Sequence, residues 1–292
     1  MTIADYSNAE ENNLRWLDFE FRAGDIVIST RSKHGTTWVQ MICALLVHGT
    51  PGLPAPLGQL SPWLDRRTES QADIFDRLAS QRHRRIIKTH TPLDGVVIDE
   101  RATYLVVARH PLDAAVSLWH QSGNLDHRRI DELTGEEHRP RSRPPLGEWL
   151  RGWIASNAAP TEALDSLKGV LWHLTGAWQR RKQPNVVLVH YDDLITDLPG
   201  EIHRLGELLD APVEPDVFGS IVDAASFDAM RAHAPQVAPD PDGVLVDPQA
   251  FFRQGGTSEA WDILGEGDLA RYRERVDDLA PADLVDWLHR TR

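Results

Sequence analysis

Four short apolar runs in this 292-residue chain end in residues able to handle an anion. DIVIST at 25–30 leads into Lys33, His34 and Gly35, then Thr36, Thr37 and Trp38. RRIIKTH at 84–90 carries Lys88, Thr89 and His90, and ATYLVVAR at 102–109 ends in Arg109, with Ser117 further on. NVVLVHY at 185–191 ends in Tyr191, ahead of Asp192 and Asp193. Three cations, a histidine and several hydroxyls converging on one place suit a substrate with more than one anionic group. Lysine is also scarce: Lys33, Lys88, Lys168 and Lys182 are the only four, the other basic residues being arginine. Two of them sit where apolar runs end, and a lysine supplies a compact point charge that arginine's planar fork does not replace. Chance placement is the competing account.

These residues meet only if the runs lie side by side. All four are β-branched and nearly continuous, which suits a parallel sheet covered on both faces, with ligands gathered at the carboxyl ends of its strands. Helical spacing predicts crossovers over 36–48, 111–122, roughly 162–182 and roughly 199–210, and a charged helix over about 267–289. The expected fold is therefore α/β, a central parallel sheet flanked by helices, with 1–292 as a single domain. Within it, the step from DIVIST through Gly35 into the helix at Thr36 makes an anion site: free N–H groups and the positive dipole end meet there. An ordinary turn capped by Thr36 is the competing reading. Two stretches, 124–147 and 233–260, resist assignment and are expected to be lids or binding loops.

Composition bounds the rest. An excess of 44 acidic over 31 basic residues gives −13, which argues against a surface built for nucleic acid or anionic lipid. The single cysteine, Cys43, excludes an internal disulfide and disfavours a cysteine-based metal site. No leader-like or membrane-spanning apolar segment is evident, so a soluble, cytoplasmic, unprocessed protein is expected. A Walker-type phosphate loop fits poorly: its lysine follows the second glycine, whereas Lys33 precedes the lone Gly35 by two residues. A metal-dependent small-molecule or nucleoside kinase, with Asp192 or Asp193 at magnesium, remains an alternative, as does a non-catalytic nucleotide-binding protein.

The motifs resemble those of the cytosolic-type sulfotransferases, which move a sulfuryl group from 3′-phosphoadenosine 5′-phosphosulfate (PAPS) to a hydroxyl or amine. The family's T-Y-P-K-S-G-T-T-W loop appears as T-R-S-K-H-G-T-T-W at 30–38, and its K-T-H-x-P appears at 88–92. R-x-P-x-D-x-x-x-S is present in full as Arg109, Pro111, Asp113 and Ser117. Y-E-D-M corresponds to 191–194, S-F-x-x-M to Ser226, Phe227 and Met230, and R-K-G to Arg253, Gln254 and Gly255. The phrases SPWLD at 61–65 and KTHTPLDG at 88–95 look closest to actinobacterial members, including glycolipid sulfotransferases.

The resemblance implies a P-loop-like nucleotide-binding fold, PAPS as co-substrate, no metal, and a hydroxyl acceptor on a small molecule or glycolipid. It implies His90 as general base, Lys33 at the bridging oxygen of the donor and Lys88 at the sulfuryl oxygens. Gly35, Thr36, Thr37 and Trp38 would grip the 5′-phosphate, and Arg109, Ser117 and Arg253 the 3′-phosphate, beside Gln254 and Gly255. Trp38 and Phe227, with Ser226 next to them, would hold the adenine, and Tyr191 its edge; core packing is the competing role for the two aromatics. Arg31, Ser32 and His34 depart from the family loop, and Gln254 replaces its C-terminal lysine. The animal enzymes' dimerisation pattern is not evident, so no dimer contact is inferred. The acceptor pocket is expected from 124–156 and 233–252, where Trp119, Trp149, Trp153 and Phe251 either line a cavity or belong to the core.

Overall fold

The four apolar runs form one sheet of parallel strands: β1 (Ile26–Ser29), β2 (Ile86–Thr89), β3 (Thr103–Ala108) and β4 (Val186–His190), in the order β2-β1-β3-β4. The computed structural model describes residues 2–135, 142–240, 242–253 and 259–290. Successive strand residues face opposite sides, and both sides are dry. Val27, Ile87, Val106 and Val186 join one core with Leu171 and Leu174, while Ile28, Ile86, Val107 and Val187 join the other with Ile42 and Leu45. Burial on both faces is why these strands lack polar alternation.

Helix α1 (Thr36–His48) follows β1 and stops at Gly49, whose left-handed backbone donates its N–H to Leu45. Helix α2 (Pro111–Ser122) follows β3; Pro111 occupies its first turn and His110 accepts the N–H of Leu112. Both match expectation. The helix expected over roughly 162–182 is shorter: α4, Leu167–Arg180, begins only after Ser166, whose hydroxyl accepts the N–H of Gly169. The charged helix expected over 267–289 is two, Glu266–Leu279 and Ala282–His289, because Pro281 between them lacks the N–H that a continuous helix needs.

The two unassigned stretches carry structure of their own. Helix α3 (His127–Thr134) lies in the first, and Ala234–Val237 and the start of Glu259–Ile263 in the second. They meet in an antiparallel bridge between Leu125 and Leu245, closed by Asp126 N–H to Val244 O and Val246 N–H to Asn124 O. Asp242 ties this crossing to the body, accepting from Arg66 and, at 2.8 Å, from Thr68. No helix among the described residues is long and apolar enough to cross a membrane.

Candidate active site

A cleft of about 270 Å³ opens at the carboxyl ends of the strands, beneath the crossing of the two loops. Its floor is cationic. Lys33 and Gly35 to Trp38 come from the β1–α1 turn, Lys88 and His90 from the end of β2, Arg109 and Ser117 from the end of β3 and α2, and Tyr191 from the end of β4. Phe227 and Arg253 complete this group. Of the residues named from sequence, Ser226 does not line the cleft; its hydroxyl instead caps the helix Phe227–Ala232 by accepting the N–H of Ala229 at 3.2 Å. Gln254 and Gly255 lie outside the described residues.

The helix start is built for an anion. Gly35, not Thr36, is the N-cap of α1, with φ of 109° and no side chain to satisfy the first N–H groups. A β-carbon there would lie 2.8 Å from the Tyr191 ring. Glycine is therefore required twice, for backbone and for space. Gly35→Ala is expected to cost about 1–3 kcal/mol of folding stability, read as a lowered melting temperature.

The cations hold one another in a strained balance. Burial lowers the Lys33 pKa to about 7, with Arg109, Lys88 and Arg253 adding like-charge repulsion. Its ammonium sits 3.7 Å from the centre of the Phe251 ring and donates to Gln121 Oε1 at 3.3 Å. Burial also brings Lys88 to about 7, helped by Arg66, and its ammonium lies 4.2 Å over Trp63. Arg109 stacks 4.3 Å over Tyr191 and donates to the carbonyl of Lys33 at 3.3 Å. Arg253 pairs with Glu259 at 3.1 Å. An arriving polyanion would relieve the repulsion among these groups.

The surroundings of His90 fix its tautomer and keep it neutral. Its Nδ1 faces the carbonyl oxygen of Thr30, a contact that only a protonated Nδ1 can make, so the neutral ring carries its lone pair on Nε2. Burial, then Lys88, then Arg31 push its pKa well below the usual histidine value, keeping it neutral. The segment bearing it is buttressed by 61–65: Lys88 N–H donates to Pro62 at 2.9 Å, Leu64 N–H to Lys88 at 3.1 Å, and Asp65 accepts from both Thr89 and Thr91.

Sequence reasoning missed several lining residues. Trp63 comes from this buttress, Arg66 and Thr68 from just beyond it, and Glu10 from the N-terminal segment. Gln121 had a legible signal: it lies four residues after Ser117, on the same helical face. Of the four aromatics left between cavity and core, only Phe251 lines the cleft. Trp153 is buried in the core with its indole N–H on Asp165 O at 2.7 Å, Trp149 packs beside it, and Trp119 lies under the Arg143 guanidinium. The roof is apolar, with Leu125, Ile130, Leu133, Val244 and Leu245.

The profile of the sulfotransferase domain matches residues 23–264. The chain belongs to the sulfotransferase family. It is similar to a glycolipid sulfotransferase of Mycobacterium bovis, 38% identical over 308 residues that cover 98% of this chain and 94% of that one. Solved structures share the fold of this sulfotransferase. Mouse sulfotransferase SULT7A1 complexed with PAP superposes with a TM-score of 0.71 at 17% identity, over 95% of this chain and 92% of that one. Retinol dehydratase in complex with androsterone and PAP gives 0.69 at 18%, over 91% and 83%. The enzyme class is thus sulfuryl transfer, and the kinase alternative is not favoured.

Proposed function

We propose that the cleft binds PAPS along its cationic floor and transfers the sulfuryl group to an acceptor hydroxyl beneath the apolar roof. The observation that carries this reading is the meeting, in one cleft, of an uncapped helix start with Lys33, of Lys88 with His90, and of Arg109 with Ser117. The donor's chemistry fits these residues. The bare N–H groups after Gly35 suit the 5′-phosphate, with the Thr36 and Thr37 hydroxyls as further donors. Arg109, Ser117 and Arg253 suit the 3′-phosphate, and Trp38, Phe227 and Tyr191 offer aromatic surface to the adenine.

In the reaction, the acceptor oxygen attacks sulfur in line while His90 Nε2 takes its proton. The bond from sulfur to the bridging oxygen breaks, leaving adenosine 3′,5′-bisphosphate (PAP) and a sulfate ester. Lys33 neutralises charge growing on the bridging oxygen, and Lys88 holds the sulfuryl oxygens as they pass. The donor's negative charge offsets Lys88 and Arg31, raising the basicity of His90 when it is needed. The leucine and valine roof, together with the glycolipid acceptor named for the bacterial relative, supports an acceptor with an apolar body, a glycolipid or hydrophobic alcohol. In the same reading, 1–292 is one domain working in the cytoplasm, without a metal.

Two measurements test this. Incubation with ³⁵S-labelled PAPS and a lipid and small-molecule extract should yield a labelled ester, and no turnover with any hydroxyl acceptor would favour a non-catalytic nucleotide-binding protein. Calorimetry should show PAP bound at least about tenfold more tightly than ATP, the difference a 3′-phosphate held by charge-assisted hydrogen bonds supplies. Equal or tighter ATP binding would overturn the assignment of the donor.

A further inference from the structure

Arg31 occupies the family loop position where tyrosine is expected, and it is turned inward, 4% exposed. One arm of its guanidinium donates to the carbonyl oxygen of His90, and the other to Asp165 Oδ1 at 2.7 Å. His90 in turn donates from Nδ1 to the carbonyl of Thr30, the residue before Arg31, and Thr30 N–H reaches Thr89 O at 3.2 Å. The ends of β1 and β2 are therefore latched in both directions, side chain to backbone each way. Asp165 precedes Ser166, the cap of α4, and its own carbonyl receives the Trp153 indole. A buried guanidinium needs a carboxylate, and Asp165 supplies it from a well-anchored turn.

We propose that Arg31, held by Asp165, is the positioning residue for His90: it fixes the backbone that keeps Nδ1 on Thr30 and reserves Nε2 for the acceptor. This rests on His90 being the general base. Four groups surround that imidazole: Lys88 on β2, Arg31 after β1, His173 on α4, and the Trp63 ring at 4.9 Å from the buttress. The first three oppose its protonation, and Arg31 does so by charge as well as by position. Loosening the latch lets the imidazole drift, and misplacement by an ångström costs about a hundredfold in rate.

The test compares Arg31→Met, Arg31→Lys and Asp165→Asn with His90→Ala, reading kcat against pH, PAP affinity and melting temperature. Arg31→Met should lower kcat about tenfold to a hundredfold, leave PAP affinity nearly unchanged, and move the acid limb of the kcat profile to higher pH. Arg31→Lys keeps the charge but not the two-armed reach, so kcat should fall while the limb stays. Asp165→Asn should lower kcat less than Arg31→Met. The proposal is overturned if Arg31→Met leaves kcat or the acid limb in place, or if kcat and PAP affinity fall together. Should Arg31→Met not fold, Arg31→Lys decides through kcat and PAP affinity alone. An active His90→Ala would instead defeat the general-base reading, whatever Arg31 does.

Discussion

His90→Ala is expected to lower kcat by about 10²- to 10⁴-fold while the protein binds PAP nearly as well as before. The separation of effects follows from where the imidazole sits. The groups proposed for the phosphates, namely the start of α1, Arg109 and Ser117, follow β1 and β3 or lie on α2, whereas His90 follows β2 and its ring hydrogen-bonds backward, to Thr30. Removing it leaves the latch from Arg31 to a backbone carbonyl in place, since alanine has that carbonyl too. Single-turnover transfer of labelled sulfate, beside calorimetry with PAP, distinguishes loss of chemistry from loss of the nucleotide. Retained turnover would remove His90 from the mechanism.

Lys33→Ala is expected to lower kcat by about 10²- to 10³-fold, the usual effect of deleting one donor aimed at developing negative charge. It should also change how binding depends on pH. In the free protein Lys33 and Lys88 both titrate near 7, and a bound polyanion returns them toward their ordinary values. The lysines are already charged below pH 6, so PAP binding there takes up no lysine protons. Above pH 7 the free lysines are neutral, binding must recharge them, and affinity falls as pH rises. Titrations at pH 8 in buffers of different ionisation enthalpy should show proton uptake by the wild type and less by Lys33→Ala. Equal uptake by both would mean that Lys33 does not meet the anion.

The sheet was legible because burial on both faces leaves unbroken β-branched runs, and the meeting of Lys33, Lys88, His90 and Arg109 in one cleft because strand ends in a parallel sheet must share an edge. The parts played by Trp63 and Asp65 were not, although SPWLD stood out as a phrase. Their work is to lie alongside β2 and brace Lys88 and His90, a relation between segments about 25 residues apart that leaves no periodic trace. Ser226 was singled out from its motif, and a serine three residues before a free N–H is also a helix cap, which is the contact its hydroxyl makes. The break at Pro281 and the late start of α4 at Leu167 were both written in local chemistry, in a proline and a serine that the longer helical periodicity outweighed. Arg31 was visible as a departure, yet its partner Asp165 lies 134 residues away.

The parallel order of the strands has a consequence for synthesis. Each strand delivers its cleft-lining residues at or beyond its carboxyl end, and Tyr191, which follows β4, packs against the turn that Gly35 opens. A growing chain that has emerged only through β3 holds Lys33, Lys88, His90 and Arg109 but has nothing behind Gly35 and no strand against the outer edge of β3. Pairings this distant close slowly. The wall behind Gly35 is thus completed only when β4, the last strand in sequence, joins the sheet.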